Sequence, residues 1–97
     1  MHKFIITFIC LSVAGAVNAG DPVAGKNKTM TCIACHGFKG ISANNEWPNL
    51  AGQKKGYLVN QMKAFRDGTR TDPVMSGMLK GLNDEDFENI ATYFSEL

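Results

Sequence analysis

Five consecutive residues, Cys32-Ile33-Ala34-Cys35-His36, constrain this chain more than any other feature. Two cysteines three positions apart lie on one side of a helical turn, so both thiols can reach the edge of one planar group. Thiols can add to the two vinyl groups of a haem, and the histidine that follows can bind its iron. This is the C-x-x-C-H pattern of covalent haem attachment. The motif therefore predicts one haem c bound through Cys32 and Cys35, with His36 as the proximal ligand.

Three other interpretations of the motif stay open at this point. A redox dithiol of the thioredoxin type expects a strand before it and a βαβ unit around it, and no strand pattern precedes Cys32. A structural zinc site needs four ligands, and the only other cysteine and histidine are Cys10 and His2. A disulfide is sterically possible but leaves the adjacent His36 unexplained. Haem attachment explains all three side chains and is the favoured interpretation.

The first nineteen residues are typical of a segment that is removed on export. His2-Lys3 carries positive charge, residues 4–17 are mostly apolar, and Val17-Asn18-Ala19 places small residues at a cleavage site. An uncleaved membrane anchor is the alternative, but the apolar run is shorter than the ~20 residues that span a bilayer. We expect a signal peptide over 1–19, a periplasmic domain over 20–97, and no stable membrane insertion after cleavage.

Length and charge limit the remaining possibilities. The chain has 97 residues, enough for one small domain. Ten basic and nine acidic residues give a net charge of +1, which argues against nucleic acid as a partner. A domain of this size buries a marginal core by itself, and a large apolar macrocycle would supply much of the missing interior.

Three segments show helical patterns. Asp21-Pro22 is a capping residue followed by proline, which predicts a first helix running to about Met30. A helical spacing recurs over 54–67, with Gly68 as the expected end. The stripe expected in this helix comprises Tyr57, Leu58, Gln61, Met62 and Phe65. Asn83 is the expected cap of a final helix. The apolar stripe predicted for that last helix comprises Phe87, Ile90, Ala91 and Phe94.

The two segments between these helices lack any period. Residues 37–52 are rich in glycine and asparagine, and 68–82 contain Met75 and Met78. In the first segment, the carbonyl of Pro48 could accept a hydrogen bond from Nδ1 of His36 and so fix the imidazole. The sequence thus predicts an all-α fold of three to four short helices with long loops.

Beyond the haem motif, short matches to one known family occur in order along nearly all of residues 20–97. They are Cys32–Gly37, Pro48–Gln53, Tyr57-Leu58 with Gln61, Met75–Met78, Leu82–Asp86 and Ala91–Phe94. In these positions the chain resembles the class I cytochromes c of bacteria, most closely the small monohaem c553 and c5 types and one domain of the diheme cytochrome c4 group.

This resemblance implies a class I cytochrome c fold and a low-spin haem that carries one electron. It implies His36 and Met75 as axial ligands, Met78 as a packing residue, and Pro48 as the residue whose carbonyl orients the histidine. It also implies that Gly25 and Tyr93 lie where the first and last helices cross. The expected partners are redox proteins that dock transiently, and no enzymatic activity is expected.

Two competing functions remain at this stage. Without a methionine ligand, the iron would be five-coordinate, and the domain would bind a diatomic gas or act as a weak peroxidase. Peroxidase chemistry usually needs a poised acid–base side chain, and beyond the predicted signal peptide His36 is the only histidine. The same haem site could also serve as the electron-entry subunit of a larger oxidoreductase complex.

Overall fold

The computed structural model describes residues 20–97, and the predicted signal peptide 1–19 lies outside the described residues. This part of the chain is helical and contains no strand, which confirms the predicted fold class. The three expected helices are present, together with two four-residue helices inside the motif and the second irregular segment. In chain order they are α1 (Pro22–Asn27), α2 (Ile33–His36), α3 (Lys55–Asp67), α4 (Met75–Met78) and α5 (Asp84–Ser95).

The first helix begins as predicted but ends early. Asp21 caps α1 by accepting hydrogen bonds from the backbone N–H groups of Val23 (2.9 Å) and Ala24 (3.3 Å). The helix ends at Asn27, three residues before the predicted Met30. At this end the hydroxyl of Thr29 donates to the carbonyl of Lys26 at 2.8 Å. That local bond replaces the next turn of helix and leads the chain into the haem motif.

The first and last helices cross in close contact at Gly25. A Cβ atom at this position would stand 1.9 Å from the carbonyl oxygen of Asn89 in α5. The crossing is fastened by the backbone N–H of Asp21, which donates to Oδ1 of Asn89 at 2.8 Å. The close approach expected at Gly25 is therefore confirmed, although its immediate neighbours are Asn89 and Ile90 rather than Tyr93.

The main core lies between α3 and α5. The predicted stripe of α5 is buried, and α3 contributes Leu58, Val59 and Phe65. Tyr57, which we expected in the stripe, is 50% exposed. Tyr57 and Val59 lie on opposite sides of Leu58 around the axis of α3. The side of Val59, and not that of Tyr57, faces α5. The buried residues of this first cluster are Leu58, Val59, Ile90, Ala91 and Phe94.

A second apolar cluster lies beside the first and receives the segment after α4. Its buried members are Phe65, Leu79 and Phe87. Met62 and Leu82 pack against both clusters and so join them. Because Leu79 is only 4% exposed, it anchors the end of the otherwise irregular segment 68–82 to the core.

The last helix has the strongest local start of the five. The side chain of Asn83 accepts from the backbone N–H of Asp86 at 2.8 Å, and the Asp86 carboxylate accepts from the N–H of Asn83 at 3.0 Å. This reciprocal pair is a capping box, and the acidic first turn suits the helix dipole. Within residues 20–97, no helix has both the length and the apolar character needed to cross a bilayer.

Candidate functional site

The two cysteines of the motif lie on a single helical turn. Cys32 precedes α2, and its carbonyl accepts hydrogen bonds from the backbone N–H groups of Cys35 (3.2 Å) and His36 (2.8 Å). Both cysteines are free and half-buried. Cys32 also packs against the first apolar cluster. The turn therefore presents two thiols at the edge of the core, as the spacing predicts.

Gly37 ends α2 directly after the histidine. Its φ of 94° is a conformation that L side chains rarely adopt. A Cβ atom at position 37 would also stand 1.9 Å from the carbonyl oxygen of Ile41. Glycine is therefore required here both by the backbone conformation and by the close approach of Ile41. It lets the chain turn sharply directly after His36.

The His36 side chain is held in one orientation by the loop that follows. Its ring is 7% exposed, and Nδ1 lies 2.7 Å from the carbonyl oxygen of Pro48. Since a carbonyl can only accept, Nδ1 carries the proton and donates. Among residues 20–97 this is the one side-chain hydrogen bond of His36, which leaves Nε2 available as a ligand. An imidazole fixed in this way is the arrangement typical of a metal-binding histidine.

The Pro48 carbonyl is itself positioned by a ring of hydrogen bonds. Oδ1 of Asn49 accepts from the backbone N–H of Ser42 at 2.6 Å. The carbonyl of Gly40 accepts from the N–H groups of Leu50 (2.8 Å) and Ala51 (3.1 Å). These bonds close the loop on both sides of Pro48, so an irregular segment still delivers one carbonyl to one nitrogen. Trp47, next to Pro48, is 44% exposed on this loop.

The competing interpretations of the motif fit this geometry poorly. No strand and no group of three or more histidine, cysteine or acidic side chains able to hold a metal ion occurs among the described residues 20–97. Redox dithiols of the thioredoxin type depend on a lowered cysteine pKa. Here burial raises the pKa of the Cys32 thiol, which keeps it protonated at neutral pH.

The two candidate methionines occupy different environments. Met75 is half-buried and packs against the cluster of Phe65, Leu79 and Phe87. Met78, at the other end of α4, is 43% exposed. The Met75 cluster shares Met62 and Leu82 with the cluster that contains Cys32. Met75 therefore packs against the apolar cluster that adjoins the one beside Cys32, whereas Met78 is exposed.

One side chain near Met75 was missed by sequence reasoning. Oδ1 of Asp72 accepts hydrogen bonds from the backbone N–H groups of Val74 (2.9 Å) and Met75 (3.0 Å). These donors, Met75 first, hold the pKa of the Asp72 carboxyl below its ordinary value. The signal was present in the sequence, because Asp72-Pro73 repeats the Asp21-Pro22 pattern that marks the start of α1.

Arg70, near the beginning of segment 68–82, is held against α3. Its guanidinium lies 4.5 Å from the centroid of the Phe65 ring and donates to Oε1 of Gln61. The backbone N–H of Arg70 also donates to the carbonyl of Ala64 at 3.1 Å. These contacts tie the beginning of segment 68–82 to α3.

Comparison with known proteins identifies the family of this chain. The Cytochrome c family profile matches residues 22–97, and the chain belongs to that family. It is 46% identical over 80 residues to cytochrome c-554(548) of Halomonas halodenitrificans, covering 79% of this chain and 96% of that protein. It is 39% identical over 103 residues to a protein of Thiomonas intermedia named thiosulfate dehydrogenase electron acceptor, covering all of this chain and 48% of that protein.

A solved structure shows the same fold. Reduced recombinant cytochrome c4 from Pseudomonas stutzeri superimposes with a TM-score of 0.76 and 42% identity, over 79% of this chain and 45% of that one. The chain spans about half the length of the cytochrome c4 proteins that it matches. These findings confirm the class I cytochrome c resemblance and its fold.

Haem c is the cofactor of this family, and the residues present fit it. The fit rests on two free thiols on one turn and on a buried imidazole whose Nδ1 is occupied and whose Nε2 is available. Cys32 and Cys35 are the attachment residues, and the apolar side chains beside them can cover a macrocycle.

Proposed function

We propose that residues 20–97 form an electron carrier in which one low-spin haem c is bound axially by His36 and Met75. The observation that carries the proposal is the 2.7 Å contact between Nδ1 of His36 and the Pro48 carbonyl. A carbonyl acceptor raises the basicity of the imidazole and fixes the ring plane, which suits a permanent iron ligand. The cofactor supplies the one-electron chemistry, and the protein sets its potential and access.

His36 and Met75 would make different contributions to this site. His36 donates to Pro48 and keeps one orientation, so little rearrangement accompanies a change of charge at the iron. Met75 offers a thioether, a ligand that favours ferrous iron and raises the potential. Met75 packs against the second apolar cluster, and these apolar side chains would limit the access of water to a haem bound there. Such a site exchanges electrons and needs no acid–base residue, which favours a carrier over an enzyme.

The choice of distal ligand can be tested by spectroscopy. Sulfur ligation of ferric haem gives a weak band at ~700 nm in His/Met cytochromes c. We expect this band in the purified holoprotein, its loss in Met75→Ala and its retention in Met78→Ala. The opposite pattern would move the ligand to Met78. A five-coordinate iron that binds carbon monoxide avidly in the wild-type protein would refute the electron-carrier proposal.

Covalent attachment has its own test. We expect a haem absorbance that remains with the protein after acid–acetone extraction, because two thioethers hold the macrocycle. The double variant Cys32→Ala with Cys35→Ala should lose the haem under the same treatment. Colourless wild-type protein from a host competent in haem attachment would contradict the proposal.

We also propose export to the periplasm and transient redox partners. The charged, apolar and small-residue regions of 1–19 support removal of a signal peptide before residue 20. The name of the Thiomonas relative, an electron acceptor of thiosulfate dehydrogenase, supports a larger oxidoreductase as donor. The intact mass of holoprotein from the periplasm tests the cleavage site. Stopped-flow oxidation of reduced holoprotein by candidate acceptors tests the partner class.

A further inference from the structure

We infer that Asp72 is a positioning residue for Met75, holding the backbone of the proposed ligand in the conformation that directs its thioether inward. The inference rests on the proposed function, since it assumes that Met75 binds the iron. The inference concerns how firmly Met75 is held on the iron, not whether Met75 is the ligand. It can therefore fail while the ligand assignment stands.

The hydrogen bonds of the Asp72 carboxylate converge on the backbone at Met75. One carboxylate oxygen accepts from the N–H groups of both Val74 and Met75, at 2.9 and 3.0 Å. Helix α4, which begins at Met75, has only four residues. A helix this short is not stable by its own hydrogen bonds. The side-chain bonds of Asp72 consequently fix the backbone at Met75.

Ser76, directly after Met75, also forms hydrogen bonds with Asp72. Its hydroxyl oxygen accepts from the backbone N–H of Asp72 at 3.1 Å, while its own N–H donates to the Asp72 carbonyl at 3.1 Å. Asp72 is thus bonded through its side chain, its N–H and its C=O to the three residues Val74, Met75 and Ser76. Met75 lies inside this closed unit.

The unit is connected to the core at both ends. Upstream, Arg70 is held against Phe65 and Gln61 of α3. Downstream, Leu79 is buried in the second cluster. Between these two anchors Asp72 supplies the local order, so its loss should loosen Met75 while the anchors hold. The expected result is easier dissociation of the thioether without unfolding of the domain.

The chain contains a matched control. The tripeptide Asp-Pro-Val occurs at 21–23 and again at 72–74. In both copies one aspartate oxygen accepts from the N–H groups two and three residues ahead. Asp21→Ala and Asp72→Ala therefore remove the same pair of side-chain hydrogen bonds, the first at the N-cap of α1 and the second just before α4, and only the second lies beside Met75.

Imidazole binding to the ferric holoprotein measures how readily Met75 leaves, because the added ligand competes for the same axial position. An apparent affinity scales with the fraction of molecules in the binding-competent state. Loss of these two side-chain hydrogen bonds, worth about 1 kcal/mol, should raise that fraction roughly fivefold in Asp72→Ala. Asp21→Ala should bind imidazole like the wild type, although both variants lose comparable thermal stability. Asp72→Asn, which keeps an acceptor oxygen, should restore an affinity within about twofold of wild type.

Each outcome bears on the inference. Equal imidazole affinity in Asp72→Ala and the wild type overturns it, and so does an equal increase in Asp21→Ala, which would show a merely structural effect. If Asp72→Ala yields too little holoprotein, Ser76→Ala removes one bond of the same unit and should shift the affinity in the same direction. Should the ~700 nm band survive in Met75→Ala, the ligand assignment fails, and the inference that depends on it is overturned as well.

Discussion

Gly25 of α1 lies directly against the backbone of Asn89 in α5, close enough that a Cβ would stand 1.9 Å from the Asn89 carbonyl oxygen. The contact brings the two ends of the described chain together. It is the reason that α1, only six residues long, has a defined place on the core.

Gly25→Ala should destabilise the holoprotein by about 1–3 kcal/mol, because the added methyl group must push two backbones apart. Gly56→Ala is the matched control. A Cβ at Gly56, near the start of α3, meets no atom within 4 Å, so this variant should be neutral or more stable by about 0.5–1 kcal/mol. Denaturant unfolding of both variants checks the pair. Equal stability of the two would contradict the helix crossing.

The loop that holds Pro48 should influence the potential of the iron. Asn49→Ala removes the acceptor of the Ser42 N–H bond and should loosen the Pro48 carbonyl that orients His36. A less basic imidazole stabilises ferric iron less, so the midpoint potential should rise, by up to about 40 mV for a loss of ~1 kcal/mol.

Asn44→Ala is the control for this loop. The Asn44 side chain accepts from the N–H of Glu46 at 2.7 Å and makes no hydrogen bond to Ser42, Pro48 or Asn49. The midpoint potential of Asn44→Ala should equal that of the wild type. A redox titration of the three holoproteins, followed by visible absorbance, provides the measurement. A potential unchanged in Asn49→Ala would show that Pro48 is held without the Asn49 side chain.

The exposed ion pairs of Arg66 give a prediction about pH. Hydrogen bonds from Arg66 lower the pKa of both Asp67 and Asp84, so these carboxylates stabilise the folded state above the ordinary aspartate range. That contribution is lost as the pH falls through the lowered pKa values. The stability difference between wild type and Arg66→Gln should therefore shrink below about pH 4 and shrink with added salt.

Part of this difference should persist in acid. The Arg66 guanidinium also lies 5.3 Å from the centroid of the Phe87 ring, a contact that does not titrate in this range. Lys80→Gln removes one positive charge from an exposed side chain and controls for net charge. Urea unfolding of the three proteins at several pH values provides the measurement. A pH-independent difference would show that the ion pairs contribute nothing.

Phe87 should be among the most sensitive core positions, since it is fully buried in the second cluster. Phe87→Ala should cost about 3–5 kcal/mol through lost burial and the cavity left behind. Phe38→Ala, at a side chain that is 71% exposed, should change stability by no more than ~0.5 kcal/mol. Thermal unfolding of the holoproteins followed by circular dichroism would show whether the two phenylalanines differ in this way.

Sequence reasoning worked best where local and long-range patterns agreed. The last helix carried both a cap at Asn83 and an apolar stripe of period 3.6, and both are present. The spacing of Cys32, Cys35 and His36 likewise fixed their common turn. In these places the chemistry of neighbouring residues determines the structure, and tertiary contacts only add to it.

Elsewhere the deciding contacts were not local. Helix α4 was missed because four residues cannot show a period, although Asp72-Pro73 repeats the start pattern of α1. The orientation of Tyr57 depended on which side of α3 meets α5. The difference in exposure between Met75 and Met78 likewise arises from packing against residues far away in the sequence.

The sharing of Met62 and Leu82 by both apolar clusters has a mechanical consequence. Each cluster includes residues of both α3 and α5, so neither can loosen without disturbing the other through the two shared side chains. We therefore expect both clusters to open in a single cooperative step, with amide hydrogen exchange protected to a similar degree in each.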